Sequence, residues 1–381
     1  MKTDALDQFL AQCIQCFRQS VPLPEWPEDI DLNADETSER ITFHGIALLL
    51  VDAAPGFQGW PSDAVELVKE EARLQSFWEL SHREVMSELV QALHQAGITA
   101  VLLKGTALAY SLYPKPELRR RGDSDLLIEN ADRAKVRRVF EACGFSLCSD
   151  VRPLQESWQS SANLGFTHTV DLHWRMSASA AISGLLEANG HQRGQVSLPA
   201  LDESAFGIGS VENLILICIN RAQHERLGYL IGPKRVYGSN RLIWAIDIEL
   251  IAASFAETDW AELIISAQTS GASDIVASGL KMAKRVLETP VPDGVLEQLD
   301  QQAPRAEITT YLDCKSARKR LMMDLAACPS LRDKLRLLTF KLHPSDDLIR
   351  ERFPDANGWP MAALRVRRLV EGFGRMLKGR V

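Results

Sequence analysis

The chain has 381 residues, 46% of them hydrophobic, and a formal net charge of −7 with a pI near 5.7. This length predicts two or three domains, and the acidic balance argues against a long nucleic acid as the partner. Residues 1–13 lack the apolar segment of a signal peptide, and no run reaches the roughly 18 apolar residues that cross a bilayer, so we expect a cytoplasmic protein without a membrane span.

Residues 1–97 are predicted to be helical, with a proline-rich linker at residues 21–30. The clearest helix spans residues 62–96, where hydrophobic side chains recur near helical spacing and Gly97 supplies the stop. The hydrophobic positions in that helix are Leu74, Phe77, Val85, Leu89 and Leu93. This pattern predicts a buried stripe along the helix.

Residues 98–208 alternate between strands and helices. A buried strand at residues 98–103 runs into a Lys-Gly-Thr turn at residues 104–106, and a helix follows. A glycine at the start of a helix lets backbone N–H groups approach an anion, which the helix N-terminus also favours. The pattern predicts a turn that can hold a phosphate. A second helix is predicted at residues 131–143.

Asp123 and Asp125 stand one residue apart at the start of an apolar strand. In an extended segment both carboxylates face the same way, with Cα atoms about 6.6 Å apart. Such a pair is stable if solvent screens the repulsion or if a divalent cation lies between the two carboxylates. The alternative is a simple turn, because the string RGDSD is rich in turn formers.

A third carboxylate, Asp171, lies on the polar face of an alternating strand at residues 165–175. If that strand pairs beside the Asp123 strand, the three carboxylates converge on one spot. The alternative for Asp171 is an ordinary solvated position. For His173, on the same face, we expect a hydrogen-bonded imidazole at the surface.

Residues 209–381 are predicted to form a helical domain, with helices near residues 211–221, 240–255, 260–268 and 275–288. The last segments place Arg and Lys among Leu, Val and Met, which predicts a core stripe with a solvated opposite face. Asp247 lies in an otherwise apolar helix, so it needs a partner, such as Arg221 or Arg241, or a ligand contact. His224 ends a helix and could complement its dipole.

Several short motifs together resemble the polymerase-β-type nucleotidyltransferase superfamily, in particular a bacterial branch that carries LKG in place of the usual Gly-Ser. The matching segments are Leu103-Lys104-Gly105, Tyr113-Pro114, Arg119, the paired-aspartate strand at residues 122–127, the third-aspartate strand at residues 170–174, and a weaker echo at His224 and residues 241–247. The resemblance covers roughly residues 98–174. It implies an α+β fold in which a small mixed β-sheet is backed by helices, between a helical N-terminal arm and a helical C-terminal domain.

The resemblance also implies a mechanism with two Mg²⁺ (or Mn²⁺) ions. Asp123 and Asp125 would bind both ions, while Asp171 would bind the ion nearer the acceptor and could accept its proton. Hard oxygen ligands suit this role, because magnesium binds through a few carboxylates plus substrate phosphates. One ion would activate an acceptor hydroxyl and the other would stabilise the departing pyrophosphate.

The residues expected to bind the nucleotide are Lys104, Gly105, Thr106, Arg119 and Ser124. Of the two cations, Arg119 is preferred, because a guanidinium can hold two phosphate oxygens at once. Whether Lys104 or Thr106 replaces the missing serine contact stays open. Arg120 and Arg121 are interpreted as structural residues of a solvated loop. His173, His224, Arg241 and Asp247 form a second tier of candidates.

The predicted function is therefore transfer of a nucleoside monophosphate from a nucleoside triphosphate to a hydroxyl of a small-molecule, peptide or protein acceptor, with release of pyrophosphate. Two alternatives stay open. One is a weakly catalytic scaffold that binds a nucleotide or a peptide. The other is a metal-dependent glycosyltransferase, which also uses an Asp-x-Asp motif; it normally has a larger alternating nucleotide domain before that motif.

Overall fold

A computed structural model describes residues 2–30, 34–53, 56–151, 154–161, 164–187, 194–231, 234–238, 240–301, 307–342, 346–356 and 358–377. The fold is α+β, as the sequence predicted: helices precede and follow a mixed sheet of seven strands. No described helix is both long enough and apolar enough to cross a membrane.

The helices that precede, interrupt and immediately follow the sheet are α1 (Lys2–Gln19), α2 (Ala34–His44), α3 (Ala47–Asp52), α4 (Ser62–Gln95), α5 (Lys104–Ser111), α6 (Arg133–Ala142), α7 (Ala180–Glu187), α8 (Ser210–Arg226) and α9 (Leu242–Ser254). The remaining helices are α10 (Glu257–Thr269), α11 (Ser273–Leu287), α12 (Val295–Gln301), α13 (Glu307–Asp313), α14 (Ala317–Ala327), α15 (Leu331–Leu342), α16 (Asp346–Arg352) and α17 (Met361–Leu377). Short 3₁₀ turns occur at Pro116–Leu118, Asn130–Asp132 and Pro354–Ala356.

The strands are β1 (Ala100–Leu103), β2 (Asp123–Ile128), β3 (Ser146–Val151), β4 (Gln155–Ser161), β5 (Thr167–His173), β6 (Gln195–Ser197), β7 (Phe206–Ile208), β8 (Tyr229–Ile231) and β9 (Lys234–Val236). The main sheet has the order β3-β4-β5-β2-β1-β7-β6, and β8 and β9 form a separate hairpin. In the centre of the main sheet, β2 runs antiparallel to β1 and parallel to β5. The expected pairing of the two aspartate strands is therefore present.

Helix α4 departs from the predicted buried stripe in its first half. Leu89 and Leu93 are buried beneath the sheet, but Leu74 and Phe77 are about half exposed. The buried side of the helix instead follows residues 64, 68, 72, 75, 79, 82, 86, 89 and 93, which keeps helical spacing throughout. Polar residues such as Glu79 occupy some of these positions, so hydrophobicity alone indicated the wrong face.

The largest hydrophobic cluster joins helices from both ends of the chain. It includes Leu10 of α1, Leu50 of α3 and Val68 of α4, and it packs them with residues of α8 to α13 such as Ile246 and Leu280. The N-terminal helices and the C-terminal helices thus share one core beside the sheet. Domain boundaries at residues 97 and 208 stay a prediction.

The last helix is more exposed than its pattern predicted. Leu364 is fully buried, but Val366, Leu369 and Val370 are more than half exposed. Among the described side chains of α17, the expected core stripe is therefore reduced to the start of the helix.

A buried ion pair ties the loop before β2 to α9. Arg119 donates from Nε and Nη2 to the two carboxylate oxygens of Asp247, at 2.8 and 2.7 Å, and Asp247 is fully buried. The Tyr113 hydroxyl also donates to Asp247 Oδ1, at 2.8 Å. Of the two roles that the sequence left open for Asp247, the structure shows an ion pair with an arginine, but the partner is Arg119 and not Arg221 or Arg241.

We expect Asp247→Asn to lower the free energy of unfolding by about 3 to 5 kcal/mol, because it leaves the Arg119 guanidinium buried without its counter-ion. The exposed pair of Lys115 with Asp52, at 2.5 Å, provides the control. Asp52→Asn should cost at most about 1 kcal/mol. Urea unfolding of both variants measures the difference, and equal losses would contradict a structural role for the buried pair.

Candidate active site

The three predicted carboxylates meet where β2 lies between β1 and β5. Asp125 on β2 pairs in register with Asp171 on β5, and Asp123 pairs with Thr169. On the other side, Asp125 pairs with Leu103, the last residue of β1. Because side chains alternate along a strand, Asp123 and Asp125 project on the same face as Asp171. The structure brings these three aspartates together.

Lys104 lies directly after β1 and contacts the carboxylate cluster. Its Nζ is 2.7 Å from Asp125 Oδ1. Its backbone is left-handed, with φ 51°, and its backbone N–H donates to Asn213 Oδ1 at 3.0 Å. Burial alone would lower the pKa of Lys104, but the charges of Asp125, Asp123 and Asp171 outweigh it and raise the pKa. Lys104 is therefore a permanently charged partner of this cluster.

His173 is the second partner of Asp125. Its Nε2 lies 2.9 Å from Asp125 Oδ1, and the residue is buried. The expectation of a surface imidazole was wrong, because the ring is buried against the Asp125 carboxylate. Burial would raise the pKa of Asp125, but Lys104 and His173 together hold it well below its usual range. Asp125 is therefore ionised at any physiological pH.

Asp171 is oriented by the strand beyond it. Ser157 Oγ donates to Asp171 Oδ1 at 2.6 Å, and Gln155 Nε2 donates to Oδ2 at 3.1 Å. Both donors lie on β4, which pairs antiparallel with β5. The carboxylate of Asp171 is thus fixed in place by two neutral donors.

Asp123 is the exposed member of the cluster. The protein packed around it, and then the charges of Asp125 and Asp171, raise its pKa to about 6, although Lys104 and Arg119 counteract part of this effect. Water screens some of the repulsion because the side chain reaches solvent. The charges of Asp125 and Asp171 therefore add to the effect of burial in favouring the protonated form of Asp123.

The donor set of this cluster fits a divalent cation. One ligand atom each from Asp125, Asp171 and His173 lies within 4.8 Å of the others, and Asp123 adds a carboxylate on the same face. Carboxylate oxygens suit magnesium or manganese, and an imidazole nitrogen is also acceptable to manganese. A bound cation would relieve the repulsion that raises the pKa of Asp123.

Thr106 and Ser124 lie beneath the sheet, away from the carboxylates. Ser124 is fully buried; its Oγ is 3.0 Å from Thr106 Oγ1 and 2.7 Å from His82 Nε2 on α4. Burial, then the charges of Arg121 and His168, lowers the pKa of His82 well below its usual value, so this imidazole is neutral. These hydroxyls fix the backbone between the two aspartates of β2.

The neighbouring arginines are also part of the scaffold. Arg121 is buried and pairs with Glu79 of α4 at 2.7 Å, and Arg120 pairs with Glu71 at the same distance. They are structural, as expected, but they do not form a solvated loop. Arg119 is committed to Asp247, and a Cβ on Gly105 would lie 3.0 Å from Arg119 Nη2. Gly105 therefore makes room for the Arg119 guanidinium.

His224 and Arg241 lie on the helical side of the site. The His224 ring meets Trp244 edge to face at 5.2 Å between centroids, and the Arg241 guanidinium lies over the same tryptophan. Burial, then the charges of Arg241 and Lys104, lowers the pKa of His224 to about 4, while Asp125 opposes the shift. These charge effects place His224 within electrostatic range of the carboxylate cluster.

Several residues that support the site were not identified from the sequence: Asn213, His82, Gln155 and Ser157. Asn213 carried no clear signal, because Ser210 and Glu212 also make the first turn of α8 polar. His82 carried a weak signal as a polar residue at a position that continues the buried stripe of α4. Gln155 and Ser157 carried none, since β4 itself is too polar to stand out as a strand.

We expect Asp123→Asn to raise the melting temperature of the cation-free protein, because it removes one of three carboxylates that repel each other. Added Mg²⁺ or Mn²⁺ should raise the melting temperature of the wild type and have a smaller effect on the variant. Differential scanning calorimetry measures both. A cation-free variant that is less stable than the wild type would contradict uncompensated repulsion at this position.

Cation binding should weaken as the pH falls below about 6, because the proton then bound to Asp123 must leave before the cation is held. The raised pKa favours the protonated form in the folded state, so the loss occurs on the acid side. Titration calorimetry at a series of pH values measures the affinity. In Asp123→Asn this pH dependence should vanish between about pH 5 and 7, and a persistent one would assign it to another group.

Comparison with known proteins supports this geometry. The sequence profile of a family described as "Uncharacterised nucleotidyltransferase" matches residues 32–288, which is more than half of the chain and includes the sheet and the carboxylate cluster. Searches of curated proteins and of solved structures returned no match. Because the profile spans both the aspartate strands and the helices that pack against them, the chain belongs to this nucleotidyltransferase family.

Proposed function

We propose that this nucleotidyltransferase uses Mg²⁺ or Mn²⁺ to transfer a nucleoside monophosphate from a nucleoside triphosphate to a hydroxyl of a small-molecule, peptide or protein acceptor. The observation that carries the proposal is the register of β2 and β5, which pairs Asp125 with Asp171 and sets Asp123 on the same face. The motif resemblance to the polymerase-β-type superfamily and its LKG branch supports the same chemistry.

In the proposed reaction, the acceptor oxygen forms a bond to the α-phosphorus while the bond from that phosphorus to the bridging oxygen of pyrophosphate breaks. Pyrophosphate leaves with the bonding electron pair, and Asp171 takes the acceptor proton. Asp123, Asp125 and Asp171 would hold the cations, which neutralise charge on the phosphate oxygens. The hydrogen bonds from Ser157 and Gln155 fix the orientation of the Asp171 carboxylate for this role.

Lys104 is the cation that we propose for the triphosphate. Lys104 is partly exposed beside Asp125. In contrast, Nε and Nη2 of Arg119 both donate to the Asp247 carboxylate. Arg119 then contributes through its charge, which acts on Asp123 at longer range. The left-handed backbone of Lys104, held by Asn213, aims the side chain towards the cluster.

The two other functions explain less of the site. A glycosyltransferase would use the Asp-x-Asp pair, but that reading gives no role to Asp171 in register with Asp125. A nucleotide-binding scaffold without turnover needs no group oriented to accept a proton, and Asp171 is such a group. We also propose a cytoplasmic location, which the odd number of cysteines, seven, supports because thiols stay reduced there.

The direct experiment incubates the purified protein with each triphosphate labelled at the α-phosphate, Mg²⁺ and cell extract. We expect label to appear on an acceptor with the wild type and to fall at least about a hundredfold with Asp125→Asn, which removes a carboxylate needed to neutralise the transferring group. Asp63→Asn, on the exposed start of α4, is the matched control and should transfer like the wild type.

Consumption of a sugar nucleotide instead of a triphosphate would favour the glycosyltransferase. Tight triphosphate binding with no labelled product in any extract would favour the scaffold. Equal labelling by the wild type and Asp125→Asn would show that the carboxylate cluster is not the site of the reaction.

A further inference from the structure

A groove in the helical part of the molecule carries a second group of cations, apart from the carboxylate cluster. It lies between α8 and α11 and has a volume of about 240 Å³. The residues that line it are Arg221, Asp274, Ser278, Lys281, Met282 and Arg285. Positions 274, 278, 281 and 285 recur at helical spacing, so they form one face of α11 opposite Arg221.

Arg221 is buried, and its only ion pair among the described residues is a long one. Its exposed fraction is 5%, and its Nη1 and Nη2 donate to neutral oxygens: Ser278 Oγ at 3.2 Å and Asn240 Oδ1 at 3.3 Å. Among the described residues, the one carboxylate at ion-pair distance from Arg221 is Glu225, at 4.0 Å, and that side chain is 43% exposed. The Arg221 Nε is also buried and has no hydrogen-bond partner in the described part of the chain. A charge buried in this way is costly unless an anion meets it.

The residues that line the groove include three cations and one carboxylate, Asp274. Asp274 forms no ion pair with Arg221 in the described part of the chain; its Oδ1 accepts from the backbone N–H of Ile275 and its Oδ2 accepts from Thr309 Oγ1. Lys281 pairs with Asp300 at the outer edge, at 2.6 Å. Within the described residues, no carboxylate lies at ion-pair distance from Arg285. The groove is therefore net positive, with a buried guanidinium at its base.

We propose that this groove binds a small anion, namely the phosphate or carboxylate group of a small molecule. The buried Arg221 guanidinium would donate to the anion oxygens, Ser278 would add a hydroxyl, and Arg285 and Lys281 would supply charge at the rim. A guanidinium suits this task because its planar donors match phosphate and carboxylate oxygens. The proposal goes beyond the transfer reaction and does not depend on it.

Titration of the full chain with inorganic phosphate tests the proposal, without divalent cations and at constant ionic strength. Thermal unfolding and calorimetry are the readouts. We expect phosphate to raise the melting temperature of the wild type, and Arg221→Gln to weaken phosphate binding about tenfold or more, because hydrogen bonds to a charged group are lost. Arg285→Gln should weaken binding less.

Two controls separate this groove from other sites. Arg226→Gln removes another arginine of α8, which pairs with Asp313 at 3.4 Å, and should leave phosphate binding unchanged. Lys104→Met removes the other cation that could bind phosphate, because we propose Lys104 for the triphosphate, and it should weaken phosphate binding less than Arg221→Gln. Loss of phosphate binding in Lys104→Met but not in Arg221→Gln would overturn the proposal, as would a wild type that binds neither phosphate nor a dicarboxylate such as succinate.

The labelling assay distinguishes the source of the anion. If the anion is part of the acceptor, phosphate should compete with labelling and Arg221→Gln should lower it. If the anion is a separate effector, phosphate should change labelling without competing with the acceptor. Failure to bind both phosphate and succinate with intact labelling would reject this groove alone, and loss of labelling with intact phosphate binding would reject only the transfer reaction.

Discussion

The arrangement of this molecule depends on holding like charges together. The parallel register of β2 and β5 places Asp125 beside Asp171, and the alternation of β2 adds Asp123 to the same face. Carboxylates at this spacing repel each other, and burial strengthens that repulsion because less water screens it. Lys104 and His173 compensate Asp125 directly, while Asp123 keeps a raised pKa. Because these carboxylates repel each other in the protein alone, the site is suited to bind an added cation.

The surrounding scaffold keeps this strained group in place. On the buried face of β2, His82 and Thr106 form hydrogen bonds with Ser124, and the ion pair of Arg121 with Glu79 holds the segment before the strand. Arg119 connects the same segment to α9 through its ion pair with Asp247. These contacts link the strand to helices from both ends of the chain. The free-energy cost of placing the carboxylates together is therefore offset by packing contacts and hydrogen bonds that take no part in the proposed reaction.

The sequence indicated the chemistry better than the supporting contacts. The shared face of Asp123 and Asp125 was predictable because side chains alternate along a strand. The short motifs indicated that the Asp171 strand lies beside them. The same alternation also implies that Ser124, between two outward aspartates, must point inward; its assignment to the nucleotide followed motif likeness and neglected this rule. Arg119 and Asp247 are 128 positions apart, so no local pattern could reveal that they pair. The buried face of α4 was missed because Gln75, Glu79 and His82 occupy it.

The central claim is that the triphosphate is held through cations bound by Asp123, Asp125 and Asp171. Calorimetric titration of the protein with a nucleoside triphosphate, with and without Mg²⁺, tests it most directly. The account predicts that affinity rises at least about tenfold with Mg²⁺ in the wild type, and that this gain disappears in Asp125→Asn. The same affinity with and without Mg²⁺ in the wild type would contradict it.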